Sequence, residues 1–83
     1  MIKRTLEFKH HKISATAVDK KLQVNALDVY TALGIAPPAG TSGDAMFDYK
    51  EADRIAADLG TAEAIEFQEW LNQRAENVKF GLE

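Results

Sequence analysis

The segment Leu22–Ile35, LQVNALDVYTALGI, constrains the fold of this chain more than any other stretch. Its first three residues alternate apolar, polar and apolar, as in a half-buried strand. Asn25 can then cap a helix, and Asp28 lies in the first turn, where it can reach back to the cap and where the helix dipole favours a carboxylate. Gly34 can take the left-handed conformation that ends a helix. The segment therefore predicts a strand followed by a helix over Ala26–Leu33.

Two further strands are predicted before this segment. The alternation over Ile2–Phe8 gives a mostly apolar face, which includes Arg4, and a polar face. His10-His11 interrupts the alternation, which resumes over residues 13–18. Because residues 19–21 form a short polar turn, the three strands can join as an antiparallel meander. Its apolar face needs a cover, which the first helix can supply in part through its stripe Leu27, Tyr30 and Leu33.

Two more helices are predicted after a loop. Residues 36–44 read APPAGTSGD, in which two prolines forbid helix continuation and two glycines free the backbone. The apolar run at residues 45–47 can pin the end of this loop to the core. Asp48 and Glu51 form a capping box for a helix over Tyr49–Leu59, which Gly60 ends. The apolar stripe of this helix is Ala52, Ile55, Ala56 and Leu59.

Thr61 can cap the third helix, with Glu63 in its first turn. The apolar stripe of this helix is Ala64, Phe67, Leu71, Ala75 and Val78, flanked by Trp70 and Arg74. Phe80-Gly81 ends it, and Leu82-Glu83 is interpreted as the remnant of an expression tag. The residues expected to be buried together are Phe8, Ile13, Leu33, Ile55, Leu59, Phe67 and Leu71. The sequence thus predicts one small α+β domain over residues 1–81, a three-stranded antiparallel meander followed by three helices.

Composition narrows the possible classes of protein. The 83 residues are 46% hydrophobic and 28% charged, which is typical of a folded soluble domain. The chain has no cysteine, so disulfides and cysteine zinc sites are excluded. Since no apolar run approaches the roughly 20 residues that cross a bilayer, and the N-terminus lacks a signal-peptide centre, we expect a cytoplasmic protein without membrane contact.

Charge is uneven along the chain. Residues 1–21 carry a net charge of +4 and the remainder carries −7, which together give the overall −3. The basic residues of the first part are Lys3, Arg4, Lys9, Lys12, Lys20 and Lys21. They are the candidates for phosphate contacts if the protein binds nucleic acid. The alternative is that the two halves present solvated faces of opposite charge.

Catalytic and metal-binding patterns are not found in this sequence. Adjacent residues of a strand point to opposite faces, so the pair His10-His11 favours a plain turn over a metal site. Carboxylate pairs such as Glu66 and Glu69 lie on the wet side of the third helix, which disfavours a role in acid–base catalysis. The loop lacks the spacing and the lysine of a phosphate-binding loop. We therefore expect no enzyme, cofactor or metal.

Three features are candidates for binding a partner protein. Trp70 has the large amphipathic ring that is common at interfaces, although a core position is the alternative. Tyr49 lies at the start of the second helix. The loop supplies the exposed candidates Pro37, Pro38, Thr41 and Ser42, with a simple connector as the alternative.

The order F-x-x-x-x-I-x-A, D-x-x-L-x-V and D-V-Y-x-A-L-G-I, over residues 6–35, resembles the start of phage antirepressor N-terminal domains of the Bro-N type. The resemblance implies a phage or prophage regulatory protein that binds a protein or DNA. A second likeness is to excisionase and MerR-like winged-helix modules, in which a helix starts much as FDYKEADR does at residues 47–54. The recognition helix of those modules has no counterpart, because residues 36–43 are rich in Pro and Gly.

The leading hypothesis is a small phage-type regulator, monomeric or homodimeric, that acts by binding a host or phage regulatory protein. It would be antirepressor-like or an inhibitor of a host factor, with an acidic helical face contributing to contact. The alternative is a small DNA-binding transcriptional regulator of the helix-turn-helix or excisionase type. The net charge of −3 disfavours duplex binding, since most of that affinity comes from Lys and Arg at phosphates.

Overall fold

A computed structural model describes residues 2–80 of the chain, so Gly81 and the predicted tag remnant Leu82-Glu83 lie outside the described residues. The elements are β1 (Ile2–Phe8), β2 (His11–Val18), β3 (Lys21–Asn25), α1 (Ala26–Leu33), β4 (Met46–Asp48), α2 (Tyr49–Leu59) and α3 (Ala62–Lys79). The strands form one antiparallel sheet in the order β1-β2-β3-β4. The small α+β domain expected from the sequence is confirmed.

The number of strands was predicted wrongly, because the sheet has four strands, and not three, in the part of the chain that the structure describes. The fourth strand, β4, pairs with β3 so that Phe47 lies opposite Val24 and Asp48 opposite Gln23. Its three residues are too few to show alternation in the sequence, and they follow a loop rich in Pro and Gly. The strand forms because β3 offers it an unpaired edge. The predicted pinning of the loop end to the core is therefore achieved by strand pairing.

The two hairpins have tight turns. Asp19 and Lys20 have φ angles of 51° and 63°, the left-handed pair that suits the twist of a two-residue hairpin. This turn is shorter than the sequence indicated, since Lys21 already belongs to β3. Lys9 has a φ of 55° in the first hairpin turn, and His11 is the first residue of β2. The two histidines are thus divided between the turn and β2, whereas the favoured interpretation placed both in a plain turn.

Helix α1 begins and ends as the sequence predicts. The Asn25 side chain accepts a hydrogen bond from the Asp28 N–H at 3.0 Å. At the other end Gly34 has a φ of 73°, and the N–H groups of Gly34 and Ile35 donate to carbonyls of the last turn. Ile35 packs partly buried against the core, as an apolar residue after a helix-ending glycine commonly does.

The buried face of α1 differs from the predicted stripe. The buried residues are Ala26, Val29, Ala32 and Leu33, whereas Leu27 and Tyr30 are only half-buried. Because α1 is apolar on most sides, the sequence pattern supports two stripes one residue apart, and packing on β2 and β3 selects between them. The Tyr30 ring instead packs edge-on against Phe47, with centroids 5.8 Å apart.

Helices α2 and α3 follow the prediction closely. Helix α2 has the predicted bounds, and its cap Asp48 accepts from the Lys50 N–H at 3.0 Å. Gly60, with a φ of 65°, ends it. Thr61 caps α3 by accepting from the Ala64 N–H at 3.1 Å. All five residues of the predicted α3 stripe are buried.

The core lies between the helices and one face of the sheet. Of the residues expected to be buried together, five belong to it: Phe8, Ile13, Leu33, Phe67 and Leu71. Ile55 and Leu59 are half-buried and pack against its border, because the two small residues Ala52 and Ala56 are the ones that α2 presents most closely.

Candidate functional site

Among the described residues, 2–80, helices cover one face of the sheet and leave the other face open. Most of the strand residues that face the helices are buried, among them Ile13, Leu22 and Val24. Side chains alternate along a strand, so their neighbours point to the opposite face. That face carries Thr5, Ser14, Thr16 and Gln23 on three adjacent strands and Met46 on β4. These five residues, which we call the sheet trough, are exposed or half-buried.

The sheet trough has a volume of about 710 Å³. Its boundary also includes Lys3 and Arg4 on β1, Asn25 at the end of β3, and Gly43 and Asp44 at the end of the loop. Hydroxyl, amide and thioether groups form its floor, and charges of both signs lie at its rim. Such a surface offers hydrogen bonds and a small apolar contact, which are the ingredients of a polar binding interface.

Two hydrogen bonds hold the end of the loop between α1 and β4 beside the trough, and one of them comes from the buried side-chain amide of Asn25. Asn25 is 8% exposed, and its Nδ2 donates to the Gly43 carbonyl at 2.8 Å while its Oδ1 caps α1. The Ala26 N–H donates to the Ala45 carbonyl at 2.8 Å. These bonds fix the loop end against the start of α1, so Gly43 forms part of a built rim.

The loop residues predicted to bind a partner form turns of their own. The N–H and the hydroxyl of Thr41 both donate to the Pro38 carbonyl, at 3.2 and 2.7 Å. The Ser42 hydroxyl accepts from the Asp44 N–H at 3.2 Å. Pro37, Pro38 and Ser42 are exposed and Thr41 is half-buried. The four residues therefore display a shaped surface next to the trough rim, although none of them lines the trough itself.

The Trp70 side chain packs against the hydrophobic core. Its ring lies 5.4 Å from that of Phe8 and 5.6 Å from that of Phe67, and the Arg74 guanidinium lies 5.8 Å from its centroid. The side chain is half-buried and packs against the core cluster. The geometry agrees with the core alternative for this residue, because most of the ring is already occupied within the domain.

Tyr49 lies in a different place from Trp70 and from the loop. It is half-buried and lines a second groove, of about 550 Å³, between the β2–β3 turn, the start of α2 and the end of α3. The charged residues of this groove are Asp19, Lys20, Lys21, Asp48, Lys50, Glu76 and Lys79. Trp70 lines neither groove. The structure thus does not bring Tyr49, Trp70 and the loop into one surface.

The six basic residues are also dispersed. Lys3 and Arg4 border the trough, whereas Lys20 and Lys21 border the second groove. The Nζ of Lys9 lies 2.7 Å from a carboxylate oxygen of Glu66 on α3. The hydrogen bond to Glu66 raises the pKa of Lys9, with partial desolvation opposing it and the negative charges of Glu66 and Glu63 adding to it.

Lys12 is exposed on β2, opposite Glu7. Since acidic groups stand beside several of these cations, the basic residues do not form one continuous patch for a phosphate backbone.

The described residues 2–80 also bear on metal binding and on membrane insertion. No group of three or more His, Asp or Glu side chains is placed to hold a metal ion there. Among the helices in this range, none is both long and apolar enough to cross a membrane.

The sequence interpretation did not single out the sheet trough. Alternation along each strand places Thr5, Ser14, Thr16 and Gln23 on the sides opposite the apolar residues, and only the register between strands brings the four residues together. Strand alternation was the available signal, but it does not say whether helices cover one face or both. Met46 could not have been placed without β4.

Comparisons with protein-family models, with curated proteins and with solved structures find no match to this chain.

Proposed function

We propose that this protein is a small phage-type regulator that binds another protein, antirepressor-like or as an inhibitor of a host factor. The observation that carries the proposal is the one-sided cover of the sheet. Within residues 2–80, all three helices contribute to a single core on one face, and the sheet trough remains open on the other face, beside the loop end that Asn25 holds. The resemblance of residues 6–35 to antirepressor N-terminal domains supports the phage-type class.

The chemistry of the trough favours a protein as the partner. Its hydroxyl and amide groups can donate and accept hydrogen bonds, as the polar and backbone groups of a protein surface require. Met46 is 37% exposed and adds an adaptable apolar contact at the border. The rim carries Lys3 on one side and Asp44 on another, so it matches a partner of mixed charge better than a uniformly negative backbone.

The experiment is a crosslinked pull-down from host lysate with matched variants. Thr16→Arg places a long cation in the middle of the trough, and Ala57→Arg places the same side chain on the exposed surface of α2. Both variants should melt like the wild type before use. We expect one stoichiometric partner with the wild type and with Ala57→Arg, and its loss with Thr16→Arg.

Two results would contradict the proposal. Loss of the partner with Ala57→Arg but not with Thr16→Arg would move the contact to the acidic helical face. A salt-sensitive shift of duplex DNA without any protein partner would favour the DNA-binding alternative. In that case reversing Lys9 and Lys12 to Glu should abolish the shift, because each lost phosphate contact lowers the salt slope by about one.

A further inference from the structure

Within residues 2–80, strand β1 has a strand neighbour on one side only. The direction of its free main-chain groups follows from Ser14, whose N–H points toward the β3 side of β2 and donates to Asp28. Thr5, which lies opposite Ser14, therefore belongs to a pair that does not exchange hydrogen bonds within the sheet. Its N–H and carbonyl point outward. By alternation, those of Lys3 and Glu7 also point outward.

The three outward-pointing residues of β1, which are Lys3, Thr5 and Glu7, can pair with the same three residues of a second copy. If a second copy pairs antiparallel along this edge with Thr5 opposite Thr5, Lys3 of each copy lies opposite Glu7 of the other. Residues with outward N–H and carbonyl groups then face one another at all three positions, which gives about six main-chain hydrogen bonds. Opposite charges directly across an antiparallel pair are favourable. Lys3, Thr5 and Glu7 are all exposed and available for this pairing.

Antiparallel pairings centred one or two residues away from Thr5 do not place opposite charges across from each other. Moving the centre of the pairing to Arg4 would place two Arg4 side chains opposite each other. Moving the centre to Leu6 would place Lys3 opposite Lys9. Moving it to Lys3 or to Glu7 would oppose like charges at the centre itself. Like charges directly opposite are destabilising, so the charge pattern selects the register centred on Thr5.

We propose that two copies of this chain associate through β1 in this register and form a continuous eight-stranded sheet. The two-fold axis is perpendicular to the sheet, so both sets of helices lie on one side and both sheet troughs lie on the other. The homodimer does not depend on the proposed function, because it forms through the main-chain groups of the β1 edge, although Thr5 of the trough and Lys3 at its rim lie on that edge.

The charge pattern can be tested by sedimentation over a wide range of protein concentration. Lys3→Glu or Glu7→Lys alone places like charges opposite each other, and each should weaken the dimer about tenfold or more. The double variant Lys3→Glu/Glu7→Lys restores opposite charges and should recover the dimer. Lys20→Glu, which makes the same charge change in the β2–β3 turn, should leave association unchanged.

Cysteine crosslinking tests the register, since the chain has no cysteine of its own. Thr5→Cys should form a disulfide-linked dimer under mild oxidation. A mixture of Lys3→Cys and Glu7→Cys chains should also crosslink. Lys3→Cys alone should not, because its two copies are offset by four residues, about 13 Å, beyond the reach of a disulfide. Thr16→Cys, away from the edge, serves as the negative control.

A wild-type protein that sediments as a monomer at every concentration would overturn the proposal, and would assign Lys3 and Glu7 the role of charges that protect a free edge. Efficient crosslinking of Lys3→Cys alone would overturn the register. Loss of the lysate partner in the Thr16→Arg variant would not affect either result, so the failure of one proposal is distinguishable from the failure of the other.

Discussion

The Ser14 N–H donates to the Asp28 carboxylate at 2.8 Å, which joins the middle of the sheet to the first turn of α1. The pairing of β2 with β3 ends at Ala15 opposite Val24, because β3 then leaves the sheet to begin the helix. The donor of Ser14 would have no strand acceptor beyond that point, and the Asp28 side chain supplies one. The sequence predicted Asp28 as a helix-capping carboxylate that reaches back to Asn25. In the structure, the Asp28 carboxylate accepts the hydrogen bond of the Ser14 N–H, for which β3 has no acceptor.

Replacing Asp28 with Ala should lower the free energy of unfolding by about 1–2 kcal/mol, because a hydrogen bond to a charged acceptor and a favourable helix-dipole interaction are both lost. Asp28→Asn keeps an acceptor and should cost less. The measurement is urea denaturation. Asp58→Ala removes an exposed carboxylate from α2 and should stay within about 0.5 kcal/mol of the wild type. Equal stability of Asp28→Ala and the wild type would show that Ser14 is satisfied by water.

The helices were predictable because residues close in sequence determine where each helix begins and ends and which of its faces is apolar. Gly60 ends α2 and Thr61 caps α3, and both roles follow from the residue types at these two positions. The α3 stripe repeats over four turns, so only one face can be apolar. Helix α1 has no such contrast between an apolar and a polar face. Its orientation is set by packing on β2 and β3, which the sequence pattern of the helix does not show.

The sheet was less predictable because its organisation depends on partners distant in sequence. Strand β4 exists through its pairing with β3, some twenty residues earlier, and the trough exists through the register of β1, β2 and β3. Local alternation predicted the first three strands and the side of each that is wet. It did not predict that the wet sides remain uncovered, since that requires knowing where all three helices pack.

Leu71 provides a test of the core. It is fully buried, and trimming it to Ala should cost about 2–5 kcal/mol, because transfer energy is lost and a cavity remains. Ile65, on the same helix, is 49% exposed, so Ile65→Ala should change stability by less than about 0.5 kcal/mol. Both values come from denaturant melts. A loss below about 0.5 kcal/mol for Leu71→Ala would contradict the packing of α3 described here.

The ion pair between Lys9 and Glu66 predicts a pH effect at the alkaline end. The pKa of Lys9 lies above its usual 10.5 in the folded protein, chiefly through the hydrogen bond to Glu66. The contribution of the pair to stability is therefore present at neutral pH and is lost as the pH rises through the folded pKa. In an NMR titration, Glu66→Gln should return the Lys9 pKa toward 10.5. Glu63→Gln, which removes only a weaker electrostatic contribution, should lower it less.

Asn25 has two roles that substitutions can separate. Its Oδ1 caps α1, and its Nδ2 holds the Gly43 carbonyl at the trough rim. Asn25→Ala loses both bonds, and since the site is buried we expect a cost of about 2–3 kcal/mol. Asp48→Ala, at an exposed cap, should cost about 1 kcal/mol.

The variant Asn25→Asp separates the two roles of this side chain. A carboxylate retains the acceptor for the Asp28 N–H but cannot donate to the Gly43 carbonyl. Helix α1 should therefore keep its protection against hydrogen exchange, while the N–H of Ala45, which donates to the Ser42 carbonyl, should exchange faster than in the wild type. Asn25→Ala should accelerate exchange in both segments. If Asn25→Asp leaves the loop as protected as in the wild type, the loop end is held by its own turns and by the pairing of β4, and the amide of Asn25 serves the helix alone.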